Sequence, residues 1–155
     1  MREQAIILER NIRSDLKTIA EIYAQIGEPA INQDADEDTL IVLAYRLHSL
    51  YSAFENIFRQ IAKAFENHLD NQAGWRVQLL QRMKLDLMPI RPAAIDEDAY
   101  DKLDELRRFR HLFRSAYSIR LDARRLQLTL DKAIELRDLY PQQTADFLKF
   151  IQSLQ

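Results

Sequence analysis

Apolar positions along this chain recur at alternating steps of three and four, the spacing that lines one face of an α-helix. Leu8, Ile12, Leu16, Ile19, Tyr23 and Ile26 form one such stripe and predict a first helix from about Glu3 to Ile26. Gly27 followed by Pro29 supplies its stop. The acidic stretch from Asn32 to Asp38 then brings caps and negative charge to the start of the next helix. That second helix is long, about Glu37 to His68, with Leu43, Leu47, Leu50, Phe54, Ile57, Ile61 and Phe65 in register. Two stripes of this kind joined by a short loop predict an antiparallel pair. A shorter third helix starts near Gly74 and Trp75 and runs through Leu79, Leu80 and Met83.

From Met88 to Pro92 the chain is predicted extended, because each proline pushes the residue before it out of the helical region. Asp96-Glu97-Asp98 opens a fourth helix reaching about Tyr117, with Leu103, Leu106, Phe109, Phe113 and Ala116 facing inward. A fifth begins near Asp122 and carries Leu126, Leu130, Ala133 and Leu136. Pro141 either kinks it or begins a sixth helix holding Phe147, Phe150, Ile151 and Leu154. The expected fold class is all-α: an antiparallel up-and-down bundle of five to six helices forming one domain over residues 1–155.

Composition supports helix and narrows the chemistry. Glycine occurs twice and proline four times in 155 residues, which leaves little material for hairpins and none for a glycine-rich phosphate loop. Cysteine is absent, excluding disulfides, thiolate zinc sites and a cysteine nucleophile, and fitting a reducing cytoplasm. The opening Met1-Arg2-Glu3-Gln4 does not resemble a signal peptide, and no apolar run approaches the roughly 18–20 residues that cross a bilayer. A cytoplasmic protein that does not enter the membrane is expected. With a net charge of -2, any affinity for nucleic acid must come from a local patch.

One segment supplies such a patch. In Leu106-Arg107-Arg108-Phe109-Arg110-His111-Leu112-Phe113-Arg114-Ser115-Ala116-Tyr117, helical spacing puts Arg110, Arg114 and Tyr117 in one strip and His111 with Ser115 in the next. Arg107 and Arg108 extend the cluster one turn earlier; Arg120, Arg124 and Arg125 follow after the turn. Arginines at i, i+4 repel by a few tenths of a kcal/mol per pair, so a phosphate, a carboxylate partner or solvent must offset them. Arginine forks bind phosphate bidentately, and histidine titrates near neutrality as acid or base. Cleavage of RNA without a metal needs that combination and the substrate's own 2′-hydroxyl. The plainer reading is a solvated face, with Asp104 and Glu105 near enough to pair locally.

The same segment resembles the signature of HEPN-domain ribonuclease toxins of the HepT type, which pair with MNT nucleotidyltransferase antitoxins. Their motif is Arg-x4-His-x-Tyr, and one branch reads Phe-Arg-His-x-Phe-Arg-His-x-Tyr. Phe109, Arg110, His111, Phe113, Arg114 and Tyr117 match it; Ser115 stands where the family has its histidine. The likeness extends to Leu47-His48-Ser49-Leu50-Tyr51, Glu55, Ile57-Phe58, Trp75, Leu79-Leu80, Met83 and Arg91-Pro92, in the same order.

The resemblance implies a homodimeric, metal-independent endoribonuclease toxin acting on RNA, tRNA first, and needing no cofactor. Arg110, His111, Ser115 and Tyr117 fall at its catalytic positions, and Arg107, Arg108 and Arg114 at RNA contacts. It also implies silencing by the antitoxin, which transfers AMP onto Tyr117. A serine hydroxyl cannot replace the motif histidine as acid or base, so activity is expected to be attenuated by about 10²–10⁴. Either the chain is naturally weak, with His111 as partial substitute roughly 6 Å along the axis, or the residue was replaced to make a toxic protein tolerable. Two other readings remain open at this point: a non-catalytic nucleotide-binding or regulatory subunit of a nucleotidyltransferase, and a plain helical adaptor.

Other candidates point to structure. His48 lies beside the second apolar stripe, His68 near that helix's C-terminus, and with His111 they show no metal-ligand spacing. The cluster between Asp34 and Asp38 lacks the spacing of a calcium loop. Glu55 is expected to pair Arg59 or an arginine of the fourth helix, and Trp75 to anchor the core.

Overall fold

The computed structural model describes residues 2–27, 31, 35–67, 72–115 and 121–155, with Ser115 described by its backbone only. His68, Ala116, Tyr117 and Arg120 lie outside the described residues. Among the described residues six helices follow in order: α1 (Arg2–Ile26), α2 (Glu37–Glu66), α3 (Trp75–Met83), α4 (Glu97–Ser115), α5 (Ala123–Arg137) and α6 (Tyr140–Ser153).

Local chemistry sets their ends. Gly27 stops α1 at positive φ, where its N–H still reaches the carbonyl of Tyr23. Asp36 caps α2 by accepting from the Thr39 amide at 2.9 Å, and Asn67 ends it in the left-handed region. Asp96 accepts from the Ala99 amide at 2.8 Å at the start of α4, and Asp122 caps α5 through Arg124. Pro141 sits in the first turn of α6, where its missing N–H costs nothing, so it begins a sixth helix and does not kink the fifth.

Side-chain contacts give the directions. Asp15 of α1 accepts from Asn56 and Gln60 of α2, while Arg46 near the start of α2 donates to Gln25 near the end of α1; the pair is antiparallel. Arg110 meets Ser52 and Phe113 meets His48, so α4 runs antiparallel to α2. Glu105 pairs Arg125, and Lys102 approaches Glu135, which sets α5 antiparallel to α4. Tyr23 stacks on Tyr140, and Glu9 accepts from Gln152 and Gln155, which lays α6 back along α1.

The predicted stripes are buried: Leu8, Ile12, Ile19 and Tyr23 on α1, Leu47 to Ile61 on α2, Leu103, Leu106 and Phe109 on α4. On α2 a second set, Ala44, Tyr51, Phe58 and Ala62, is also buried, because this helix packs against α1, α3, α4 and α5 at once. All six helices contribute to one hydrophobic core. No helix among the described residues is long and apolar enough to cross a membrane.

The segment from Met88 to Pro92 departs from its predicted extended form. It folds back on itself: the Leu87 amide donates to the Arg91 carbonyl at 2.9 Å, and Ile90 donates back to Leu87 at 2.8 Å. Arg91 is the cause. Its side chain is fully buried, with Nε and Nη2 on Glu66 of α2 and further bonds to the carbonyls of Arg82, Leu85 and Pro92. Arg82 adds a second guanidinium on Glu66 at 2.7 Å. This knot ties α3 and its following loop to the end of α2.

Candidate nucleic-acid interface

Leu103, Leu106 and Phe109 fix the rotation of α4 by facing the core. The arginines a hundred degrees away must then face outward, toward the start of α3. Between the two elements lies a cleft of about 620 Å³. Residues 72–77 form one wall, and Arg107, Arg110, His111 and Arg114 form the other. Among the described residues its lining contains four arginines and no carboxylate.

These cations are not equivalent. Arg107 donates twice to Asp104, at 2.9 and 3.0 Å, and the exposed Arg108 takes the other oxygen of the same carboxylate at 2.9 Å. Asp104 thus offsets both, as local pairing predicts. Arg108 does not line the cleft. Glu105 turns instead to Arg125 of α5, in a network with the buried Thr129. Arg125 is thereby withdrawn from the patch, and Arg124 is an exposed residue in the first turn of α5.

Arg110 has no carboxylate partner among the described residues; its Nε donates to the neutral hydroxyl of Ser52 at 3.1 Å. Burial, and then the charge of Arg76 across the cleft, lower its pKa from the ordinary arginine value. Arg114, one turn on, is exposed and has no ion pair among the described residues. His111 stands exposed on the same wall. The structure therefore brings Arg107, Arg110, His111 and Arg114 together. Ser115 follows as the last described residue of α4, and Tyr117 lies beyond the described residues.

Glu55 stands differently from expectation, and Trp75 does so in part. Glu55 is buried and pairs neither Arg59 nor an arginine of α4; its partner is Arg76 of α3. Trp75 packs against the core but is only half-buried and also walls the cleft, with the guanidinium carbons of Arg76 and Arg59 at 4.3 and 5.1 Å from its ring centroid. His48 packs its ring 5.8 Å from Phe113, and burial followed by the charges of Arg110 and Arg114 pushes its pKa down. Arg76 was not singled out by any pattern in the sequence. A buried glutamate in need of a cation was the available signal, and only packing shows which arginine answers it. No group of three or more His, Asp or Glu side chains able to hold a metal occurs among the described residues.

Comparison with known proteins adds one match. A family model described as HepT-like protein covers residues 42–151, from early α2 to the end of α6, and includes both walls of the cleft. No curated protein and no solved structure matches the chain. With most of its length matched, including every helix that builds the arginine cleft, the chain belongs to the HepT-like family.

Proposed function

We propose that this chain is a HEPN-type toxin of a toxin–antitoxin pair, a metal-independent endoribonuclease whose substrate is RNA, tRNA foremost. The observation that carries the reading is the cleft: among the described residues four guanidiniums line it without a carboxylate, and Arg110 and Arg114 have no acidic partner. Unneutralised arginines at i, i+4 fit a site awaiting phosphate.

In this reading the substrate's 2′-hydroxyl gives its proton to water as its oxygen attacks phosphorus, the bond from phosphorus to the 5′-oxygen breaks, and that oxygen takes a proton from water, leaving a 2′,3′-cyclic phosphate. Arg110 stabilises the crowded phosphate, and Arg107, Arg108 and Arg114 hold the backbone. His111 stands on the same wall as the imidazole nearest the arginines, and Ser115 marks the replaced histidine that leaves catalysis weak. The whole of residues 1–155 acts as one HEPN-like unit in the cytoplasm, and two copies pair through their α4 faces. The MNT-type antitoxin transfers AMP onto Tyr117, which places a negative charge where RNA binds.

Ser115 also favours a second reading, a non-catalytic subunit that binds nucleotide and holds a nucleotidyltransferase. One substitution separates them. Ser115→His should restore growth arrest and tRNA cleavage by about 10²-fold or more if the toxin reading holds. A harmless, inactive Ser115→His protein supports the subunit.

A further inference from the structure

Arg76 enters the cleft from α3, opposite the arginines of α4. Its Nε lies 3.3 Å from Oε1 and 3.2 Å from Oε2 of Glu55, and its guanidinium covers the Trp75 ring. Glu55 is only 5% exposed, and its Oε2 accepts no hydrogen bond among the described residues. The contrast with Glu66 is informative. There, Arg91 lays Nε and Nη2 on the two carboxylate oxygens and Arg82 adds its own Nε and Nη2, the forked geometry that saturates a buried carboxylate. Arg76 gives Glu55 its Nε edge alone. Among the described residues neither of its Nη nitrogens donates a hydrogen bond.

A guanidinium pinned at one edge and across its face, with its outer nitrogens unused beside a polar cleft, is oriented for an external acceptor. That acceptor must be anionic, since Arg110 and Arg114 face the same space without acidic partners among the described residues. A cleft of about 620 Å³ is in the range that takes a nucleotide-sized ligand. We propose that Arg76, oriented by Glu55 and Trp75, is a phosphate-binding residue that grips single-stranded RNA from the wall opposite Arg110. This rests on the RNA-binding reading of the site. Glu55 and Trp75 are positioning residues, and the clamp is two-sided.

The test conserves net charge. Removing Arg76 alone strands a buried carboxylate and threatens the fold, so the variant is the double Glu55→Gln/Arg76→Gln, which removes one charge of each sign. Binding of a short fluorescein-labelled oligouridylate to the full chain is followed by anisotropy over a range of salt concentrations. The double variant should bind about tenfold more weakly, as expected for loss of one charge-assisted bond. Its slope of log affinity against log salt should be shallower by about 0.7, one phosphate contact on a single strand. Arg76→Lys keeps the charge but not the fork; it should bind severalfold more weakly with the slope retained. A double variant that melts like the parent and binds RNA equally well overturns the proposal and leaves the site reading standing. Arg76→Lys binding at parental strength overturns the orienting role. A parental chain without salt-dependent RNA binding sinks both.

Discussion

Replacing Arg91 with methionine removes the guanidinium that ties the loop after α3 to the end of α2. The side chain is 0% exposed and makes five hydrogen bonds, two to Glu66 and three to the carbonyls of Arg82, Leu85 and Pro92. Methionine fills much of the volume but satisfies none of these groups. Among the described residues Glu66 then keeps Arg82 alone, whose guanidinium is about one-third exposed and so more screened by solvent. Breaking one member out of a buried ion pair costs about 3–5 kcal/mol. For a chain of this size that lowers the melting temperature by on the order of 10 °C. Thermal unfolding followed by far-ultraviolet circular dichroism measures it directly.

The pH dependence sharpens this prediction. Burial pushes the Glu66 pKa up, but the bonds from Arg91 and Arg82 win and leave it below the ordinary value. Its contribution is therefore present above the ordinary glutamate pKa and lost as pH falls through the lowered folded-state value. In Arg91→Met the carboxylate, held by Arg82 without Arg91, protonates at higher pH, which relieves its cost, so the gap between variant and parent should narrow toward acid. A melting temperature within about 3 °C of the parent at neutral pH would show that the knot is replaceable and refute the reasoning.

Two further outcomes follow from the packing around α4. The His48 imidazole should titrate below the free histidine value, so its stability contribution is intact above that value and is lost as pH falls from it toward the folded pKa. Saturating oligouridylate screens Arg110 and Arg114 and should raise the His48 pKa in an NMR titration; an unmoved resonance counts against RNA covering those charges. Thr129 is 0% exposed, donates to Glu105 at 3.1 Å and accepts from Arg125 at 2.9 Å. Thr129→Val keeps the shape and should cost about 1–3 kcal/mol by leaving the pair short of a partner; an unchanged melt would show the network to be dispensable.

Most of the bundle was legible from periodicity, because a helix must bury one stripe and the stripe repeats at a spacing the chain displays openly. Leu8 to Ile26 and Leu43 to Phe65 marked α1 and α2, while Gly27, the acidic stretch before α2 and Asp122 marked element ends through local backbone chemistry; Pro141 left a kink and a new helix both open until the structure placed it in the first turn of α6. The α4 wall of the cleft was legible for the same reason: Arg107, Arg110, His111 and Arg114 share a face once Leu103, Leu106 and Phe109 face inward.

What local pattern could not supply was the choice among many possible charge partners. Ion pairs between helices join residues distant in sequence, and a guanidinium on a long flexible stem reaches any of several carboxylates. Tertiary packing alone assigned Arg76 to Glu55, Arg125 to Glu105 and Arg91 to Glu66, and folded the Met88–Pro92 segment around the last of these. Those assignments decide which arginines are occupied internally and which still face the cleft. Helical periodicity is a property of neighbours along the chain, whereas neutralisation of charge is a property of neighbours in space.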